Sequence, residues 1–309
     1  MALLNFRGRA NRQVSSPALG DMLDGWSIEV MPRTAAKIDD FRALLPAGTR
    51  VYIAHIAGTP IDDMVATARR LRDEGFPVMP HFPARSIPDA ATLEDWVKRY
   101  RNEADVQEAL LLGGGQQEPA GSLDSSMQMM ETGLFDRHGF TRLHVAGHPE
   151  GNRDIDRDGS TQSVDQALAW KQDFASRTDA RMAIVTQFAF DARAVTDWAE
   201  RIQGAGVTLP IHVGIAGPAK LQTLVKYALA CGVGPSLKIL QKRAMDVTRL
   251  LVPYEPTDVV AGLADYKARN PGSLIEKLHI FPLGGITAAG EWADREENTP
   301  PGGLSRQKR

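Results

Sequence analysis

With 309 residues, 33.7 kDa, 43% apolar and 24% charged residues, the chain can bury a sizeable core as one large α/β domain or two small ones. A formal net charge of -2 and a pI of about 6.4 argue against a basic nucleic-acid surface, and the clusters Lys98 to Arg101 and Lys238 to Arg243 read as solvated helix faces. The single cysteine, Cys231, excludes an intramolecular disulfide and a cysteine-based zinc cluster. No window approaches the ~20 apolar residues that span a bilayer, and the N-terminus lacks the apolar core of a signal peptide. The expectation is a soluble cytoplasmic protein.

In chain order, the first strand candidate is 26–31. Alternation puts Trp26, Ile28 and Val30 on one face and Ser27, Glu29 and Met31 on the other. If the first face packs under helices, Glu29 points inward, where an ionised carboxylate is costly without partners. Such a group is expected to titrate high and to serve as an acid. Strand 51–56 follows, then a helix that Pro60 opens and Gly75 closes, with Ile61, Met64, Val65, Ala68 and Leu71 on one face. Strands at 77–82, 108–112, 141–146, 182–188 and 209–214 alternate with helices at 88–102, 122–135, 161–177, 192–204 and 217–231. Cys231 falls in the last turn of that final segment, as a buried packing residue. Helices near 235–250 and 256–269 precede the strand 277–282, and a short helix, 287–295, follows it.

Strands separated by helices throughout one domain length predict a single (β/α)8 TIM barrel over residues 1–299, with a polar, disordered tail at 300–309. A doubly wound sheet is the alternative, but neither Gly113-Gly114-Gly115 nor Gly214-Ile215-Ala216-Gly217 has the G-x-G-x-x-G spacing. Barrel enzymes build their sites at the C-terminal strand ends. Taken in order, these ends carry Glu29 and Arg33; His55 and Thr59; His81 and Arg85; Gly113 to Gln116; Gly147 to Glu150; Gln187, on the parity of Val185 and Ala189; His212; and His279 with Phe281. Each alone reads as a hydrogen-bonded structural residue, and Asp165 and Lys171, on a helix, read as solvent-exposed. Together they are too polar for a packed barrel interior, which is mainly branched aliphatic. Five histidines raise a zinc hydrolase as one reading, but that class needs an H-x-H pair on the first strand, which is missing, so no metal is expected.

From Ser27-Ile28-Glu29-Val30-Met31-Pro32-Arg33 onward the chain resembles the methylenetetrahydrofolate reductase family, whose first strand reads like S-F-E-F-F-P-P-R. The resemblance continues through Pro80-His81-Phe82 with Arg85, Ala146-Gly147-His148-Pro149-Glu150-Gly151, Thr186-Gln187-Phe188-Ala189-Phe190-Asp191, Val213-Gly214-Ile215 and Leu278-His279-Ile280-Phe281, spanning residues 20 to 287. It implies a flavoprotein barrel that uses NADH or NADPH to convert 5,10-methylenetetrahydrofolate to 5-methyltetrahydrofolate. Glu29 then matches the general acid that opens the imidazolidine ring, and Gln187 the glutamine on the pterin edge. Gln116, Leu221 and Phe281 are further folate-binding candidates. Thr59, His81, Gly114, His148, Asp165 and Lys171 are candidates for holding FAD.

The sequence also departs from that family. Leu111-Leu112-Gly113-Gly114-Gly115 stands where L-R-G-D is usual, which removes a charge beside the flavin; Gln116 or Gln117 is the candidate replacement. Leu283-Gly284-Gly285 replaces L-N-R, and Leu221 stands where an aromatic is expected over the folate. These differences leave open a flavin-independent reductase, oxidation of 5-methyltetrahydrofolate in a demethylation pathway, and a non-catalytic folate-binding accessory protein. The partner expected is a small folate, with neither nucleic acid nor membrane; homo-oligomerisation is open.

Overall fold

The computed structural model describes residues 16–230 and 253–298. The expected helix near 235–250, Cys231 and the tail 300–309 lie outside the described residues. Alternation on the first strand is realised: Trp26, Ile28 and Val30 are buried in the main core between the strands and the surrounding helices. This leaves Ser27 and Glu29 facing the barrel interior. Eight parallel strands close in sequence order: β1 (Ser27–Val30), β2 (Arg50–Ile53), β3 (Val78–Pro83), β4 (Glu108–Leu112), β5 (Arg142–Gly147), β6 (Arg181–Ala189), β7 (Ile211–Ala216) and β8 (Ile275–Phe281). Ser27 pairs with Arg50 on one side and His279 on the other, which closes the barrel. The predicted TIM barrel is therefore the fold.

Local signals place the helices. Ile61–Asp73 buries Met64, Val65, Ala68 and Leu71, carries Asp62 and Asp63 in its first turn, and gives way at Gly75, whose φ is +94°. The Asp89 carboxylate caps Ala90–Ala104 by accepting from the Thr92 N–H at 2.7 Å. Two expectations need correction. The helix expected at 122–135 is two pieces, Ser126–Glu131 and Leu134–Arg137, separated at Gly133, whose φ of +65° is left-handed. The final helix is not short: Ile286–Glu297 has 12 residues and buries Trp292, whose indole N–H donates to Thr257 Oγ1 at 3.1 Å. No helix among the described residues is long and apolar enough to cross a membrane.

Two irregularities shape the interior. The β6–β7 register shifts between Val185 and Phe188, so the shared parity expected for Val185, Gln187 and Ala189 does not hold. Val185 packs inside the barrel while Ala189 joins the outer core. The β7–β8 register shifts between Ile211 and His212, which leaves Glu276 as the extra residue near the start of β8. His212 is the second residue of β7 and so sits in its lower half, not at its C-terminal end as expected, because the strand begins at Ile211 and runs on to Ala216. At Gly214, a Cβ would come within 2.7 Å of both the Gln187 carbonyl and the Phe281 ring, so only glycine lets β6, β7 and β8 meet there. Gly214→Ala should lower stability by about 2–3 kcal/mol through overpacking, read as a drop in the urea midpoint at unchanged m-value.

Candidate active site

At the C-terminal mouth, β1, β6 and β8 surround a cavity of about 460 Å³, a volume in the range that holds a cofactor- or drug-sized molecule. Its wall is largely apolar, with Met31, Ile38, Phe188, Tyr227, Phe281 and Leu283, and Ile56, 53% exposed, stands at its edge. Polar groups enter at few points: Glu29 at the foot, Gln187 on the side, and the exposed Lys37 at the rim. The β6 register shift is what lets the consecutive residues Gln187 and Phe188 both line it.

Glu29 does not stand alone. Its Oε2 lies 3.2 Å from His81 Nε2 on β3 and 3.9 Å from His279 Nε2 on β8. Burial pushes the carboxyl pKa up, but the Coulombic pull of His81 and the closeness of both imidazoles outweigh it and hold the group at about 2. The expected high-titrating acid is thus corrected: Glu29 is ionised at neutral pH. His279 is fully buried, and burial, opposed by Glu29, moves its pKa below the ordinary imidazole value.

The other candidates divide into separate surroundings. Gln187 hydrogen-bonds the His148 imidazole, which links the large cavity to the end of β5. Phe281 lines the large cavity, whereas Leu221 is buried behind it in the cluster of Phe188, Phe190 and Tyr254. Gln116 is not in the lining; its carbonyl accepts from Arg85 Nη1 at 3.1 Å, and Arg85 also binds Asp124 at 2.6 Å. The Thr59 carbonyl is engaged by His55 Nε2 at 3.1 Å, and the His55 ring stacks on Trp96. Gly114, at φ +97°, packs so closely on Pro83 that a Cβ would meet it at 3.2 Å.

His148, Asp165 and Lys171 border a second cavity of only about 40 Å³. Contrary to its expected exposure, Lys171 is buried, donating to the Ala146 carbonyl at 3.2 Å, and burial lowers its pKa to about 8. Asp165 is committed to Arg201 at 2.6 Å and Thr161 at 2.8 Å. Of the six residues nominated for a flavin, His148, Asp165 and Lys171 share this cavity, and Thr59, His81 and Gly114 are not in its lining. A space of this size takes a water or a small anionic group.

Two interior residues carried no prediction. Tyr52 and His144 are fully buried, and Tyr52 Oη lies 2.6 Å from His144 Nδ1. The signal for His144 was present in Leu143-His144-Val145, where the apolar neighbours face the outer core and the polar residue faces inward. Among the described residues no group of three or more His, Cys, Asp or Glu side chains is placed to hold a metal ion.

No family model matches the chain. Among solved structures, the chain is similar to a protein from Clostridium thermocellum that binds two copies of 5-methyl-5,6,7,8-tetrahydrofolic acid, at 11% identity and a TM-score of 0.54, over 91% of this chain and 97% of that one. It is also similar to the 7,8-dihydropteroate synthase of Vibrio fischeri, at 12% identity and a TM-score of 0.44, over 89% and 93% of the two chains. At 11% identity, the likeness to the Clostridium thermocellum protein establishes the fold alone.

The titrations here share one sign. Glu29 is depressed to about 2, so its contribution to stability is complete above the ordinary carboxylate pKa and is lost as pH falls toward 2. Burial is the leading cause that lowers His148 to about 4 and His212 to about 3; the unfolded chain takes up these protons first, below the ordinary imidazole value of 6.5. Stability should therefore rise with pH from about 3 to 6.5. Urea midpoints at pH 4, 5.5 and 7 should increase in that order; a flat series would contradict these assignments.

Proposed function

We propose that the cavity binds a reduced folate and that the protein interconverts 5,10-methylenetetrahydrofolate and 5-methyltetrahydrofolate with hydride from NADH or NADPH. The observation that carries this reading is that Glu29 and Gln187, from β1 and β6, face one largely apolar cavity of about 460 Å³. A pterin edge needs an amide that both donates and accepts, as Gln187 can, while its ring plane needs apolar and aromatic walls, as Phe188 and Phe281 supply. Lys37 at the rim suits the carboxylates of a folate tail. The folate bound by the Clostridium thermocellum protein of the same fold supports the same ligand class.

The chemistry follows from the charge at the foot of the cavity. In the reductive direction N10 of the folate takes a proton, the bond from N10 to the methylene carbon breaks, and hydride from the nicotinamide adds to that carbon, with the proton supplied from solvent. Because Glu29 is ionised, the acid is the Glu29–His81 pair, not Glu29 alone. The carboxylate, 3.2 Å from the His81 imidazole, stabilises the developing positive charge of the iminium above it. The same groups serve oxidation of the 5-methyl form, with substrate supply setting the direction.

Direct hydride transfer is the first route, since His148, Asp165 and Lys171 border a cavity other than the one that Glu29 and Gln187 line. Flavin-mediated transfer is the alternative, favoured by the buried Lys171 amine beside His148 in the small cavity. The absorption spectrum of the purified protein separates them: folate reduction by colourless protein supports direct transfer, and bound flavin absorbance supports the alternative. Glu29→Gln should cut kcat by about 10²-fold or more, while Gln187→Leu should mainly raise KM, by about tenfold. Folate binding without nicotinamide oxidation under any flavin supply would make the protein a folate-binding accessory instead.

A further inference from the structure

Beneath the cavity the barrel interior carries hydrogen-bonding side chains beside Met79, Leu110 and Val185, where branched aliphatic layers are usual. Followed downward from Glu29, they form one column. Glu29 Oε2 lies 3.9 Å from His279 Nε2, and His279 Nδ1 lies 2.9 Å from Ser27 Oγ. Tyr52 packs edge to face on the His279 ring, with centroids 4.4 Å apart and Ser27 beside its hydroxyl, and Tyr52 Oη lies 2.6 Å from His144 Nδ1. The His144 and His212 rings meet edge to face with centroids 4.7 Å apart. Each brings a buried nitrogen with no hydrogen-bond partner, Nε2 of His144 and Nδ1 of His212. His212 Nε2 lies 3.4 Å from Glu276 Oε2, and Glu276 is 52% exposed. As the second residue of a parallel strand, Glu276 stands at the end of the barrel opposite the cavity.

We propose that this column is a proton relay joining solvent at the barrel floor to Glu29 and His81 at the foot of the cavity. Its purpose rests on the folate reading: reduction consumes one proton per turnover, and a folate seated in the cavity would cover Glu29 from above. Every member has one site that accepts a proton and one that releases it. A proton from Glu276 passes to His212 Nε2. Neither His212 Nδ1 nor His144 Nε2 is hydrogen-bonded at rest, so the Nδ1 proton of His212 moves to His144 Nε2 when the rings, 4.7 Å apart at their centroids, turn toward each other. The Nδ1 proton of His144 moves to the Tyr52 oxygen, the Tyr52 hydroxyl proton to Ser27, the Ser27 proton to His279 Nδ1, and, when a ring movement closes the 3.9 Å gap, the Nε2 proton of His279 to Glu29. One proton enters, one leaves, and no charge stays in the column; rotation of the hydroxyls and rings resets it.

The surrounding charges keep the column in the form that can conduct. His212 is faced by Arg50, Arg142, Lys277 and His279, and His144 by Arg50, Arg142, His212 and His279. Burial is the larger cause, and the cationic Arg50, Arg142 and Lys277 add to it, so both imidazoles stay neutral with one N–H and one lone pair each. His279 is faced by Glu29 and His81. A merely structural column would satisfy the same buried polar groups but would carry no protons.

The test uses full-length protein labelled with ¹⁵N-histidine and reads the exchange of the His279 ring proton with water by NMR. In Glu29→Gln the upper proton acceptor is removed, so exchange at this fully buried ring runs downward. Adding Tyr52→Phe to Glu29→Gln should slow that exchange at least tenfold, and adding Ser27→Ala instead should do the same, which guards against one variant failing to fold. Equal exchange rates in the single and double variants would overturn the relay. The measurement needs no ligand. Failure of the unaltered protein to bind 5-methyltetrahydrofolate in a separate titration would sink the folate reading and leave the relay result standing.

Discussion

A carboxylate and four imidazoles inside a closed barrel are the constraint on which the rest of the interior depends. Burial alone raises the pKa of Glu29, and at the foot of a mostly apolar cavity that effect is large. His81 at 3.2 Å and His279 at 3.9 Å more than reverse it. The carboxylate thereby keeps its charge, and the imidazoles need partners in turn. Ser27 meets His279, Tyr52 meets His144, and His212 meets Glu276. Removing one member exposes its neighbour as a buried polar group without a partner, which costs more than the lost bond itself.

The barrel architecture decides where these groups act. Parallel strands bring all C-terminal ends to one mouth, so residues from β1, β3, β6 and β8 meet although they are distant in sequence. Two local departures from regular pairing refine the result. The register shift in β6 turns both Gln187 and Phe188 to the cavity, and Gly214 lets the neighbouring strands approach closely enough to seat Phe281. The second cavity, at Lys171, is separated in character as well as in size: its amine already bonds a backbone carbonyl, and Asp165 is neutralised by Arg201.

The fold was readable because it rests on local periodicity. Period-two and helical spacings locate the strands and most helices, and alternation through Trp26, Ile28 and Val30 places Glu29 inside. What failed depends on distant neighbours. The pKa of Glu29 is set by His81 and His279, which no local pattern connects to it. The burial of Lys171 depends on how its helix meets β5, and the parity of β6 on a bulge visible only in pairing with β7. The break at Gly133 was locally signalled by a glycine amid helical residues, and helical spacing outweighed it in the prediction. His144 was locally signalled as well, but a lone interior imidazole acquires meaning only beside Tyr52 and His212.

The charges along the axis follow an order that bears on function. At the floor, Glu108 is held by Arg50 at 2.5 Å and Arg142 at 3.2 Å, a network with excess positive charge. In the middle, Tyr52, His144 and His212 are neutral, with His144 held well below its ordinary pKa chiefly by burial. At the top, Glu29 is negative. A positive floor disfavours a cation lodging in the neutral middle, while the anion at the top attracts a proton upward. Because the dielectric is low throughout, a migrating charge would be expensive at any intermediate position. A column of neutral donors and acceptors, each exchanging one proton for another, avoids that cost. This is why the same burial that makes these imidazoles poor bases suits them to conduct.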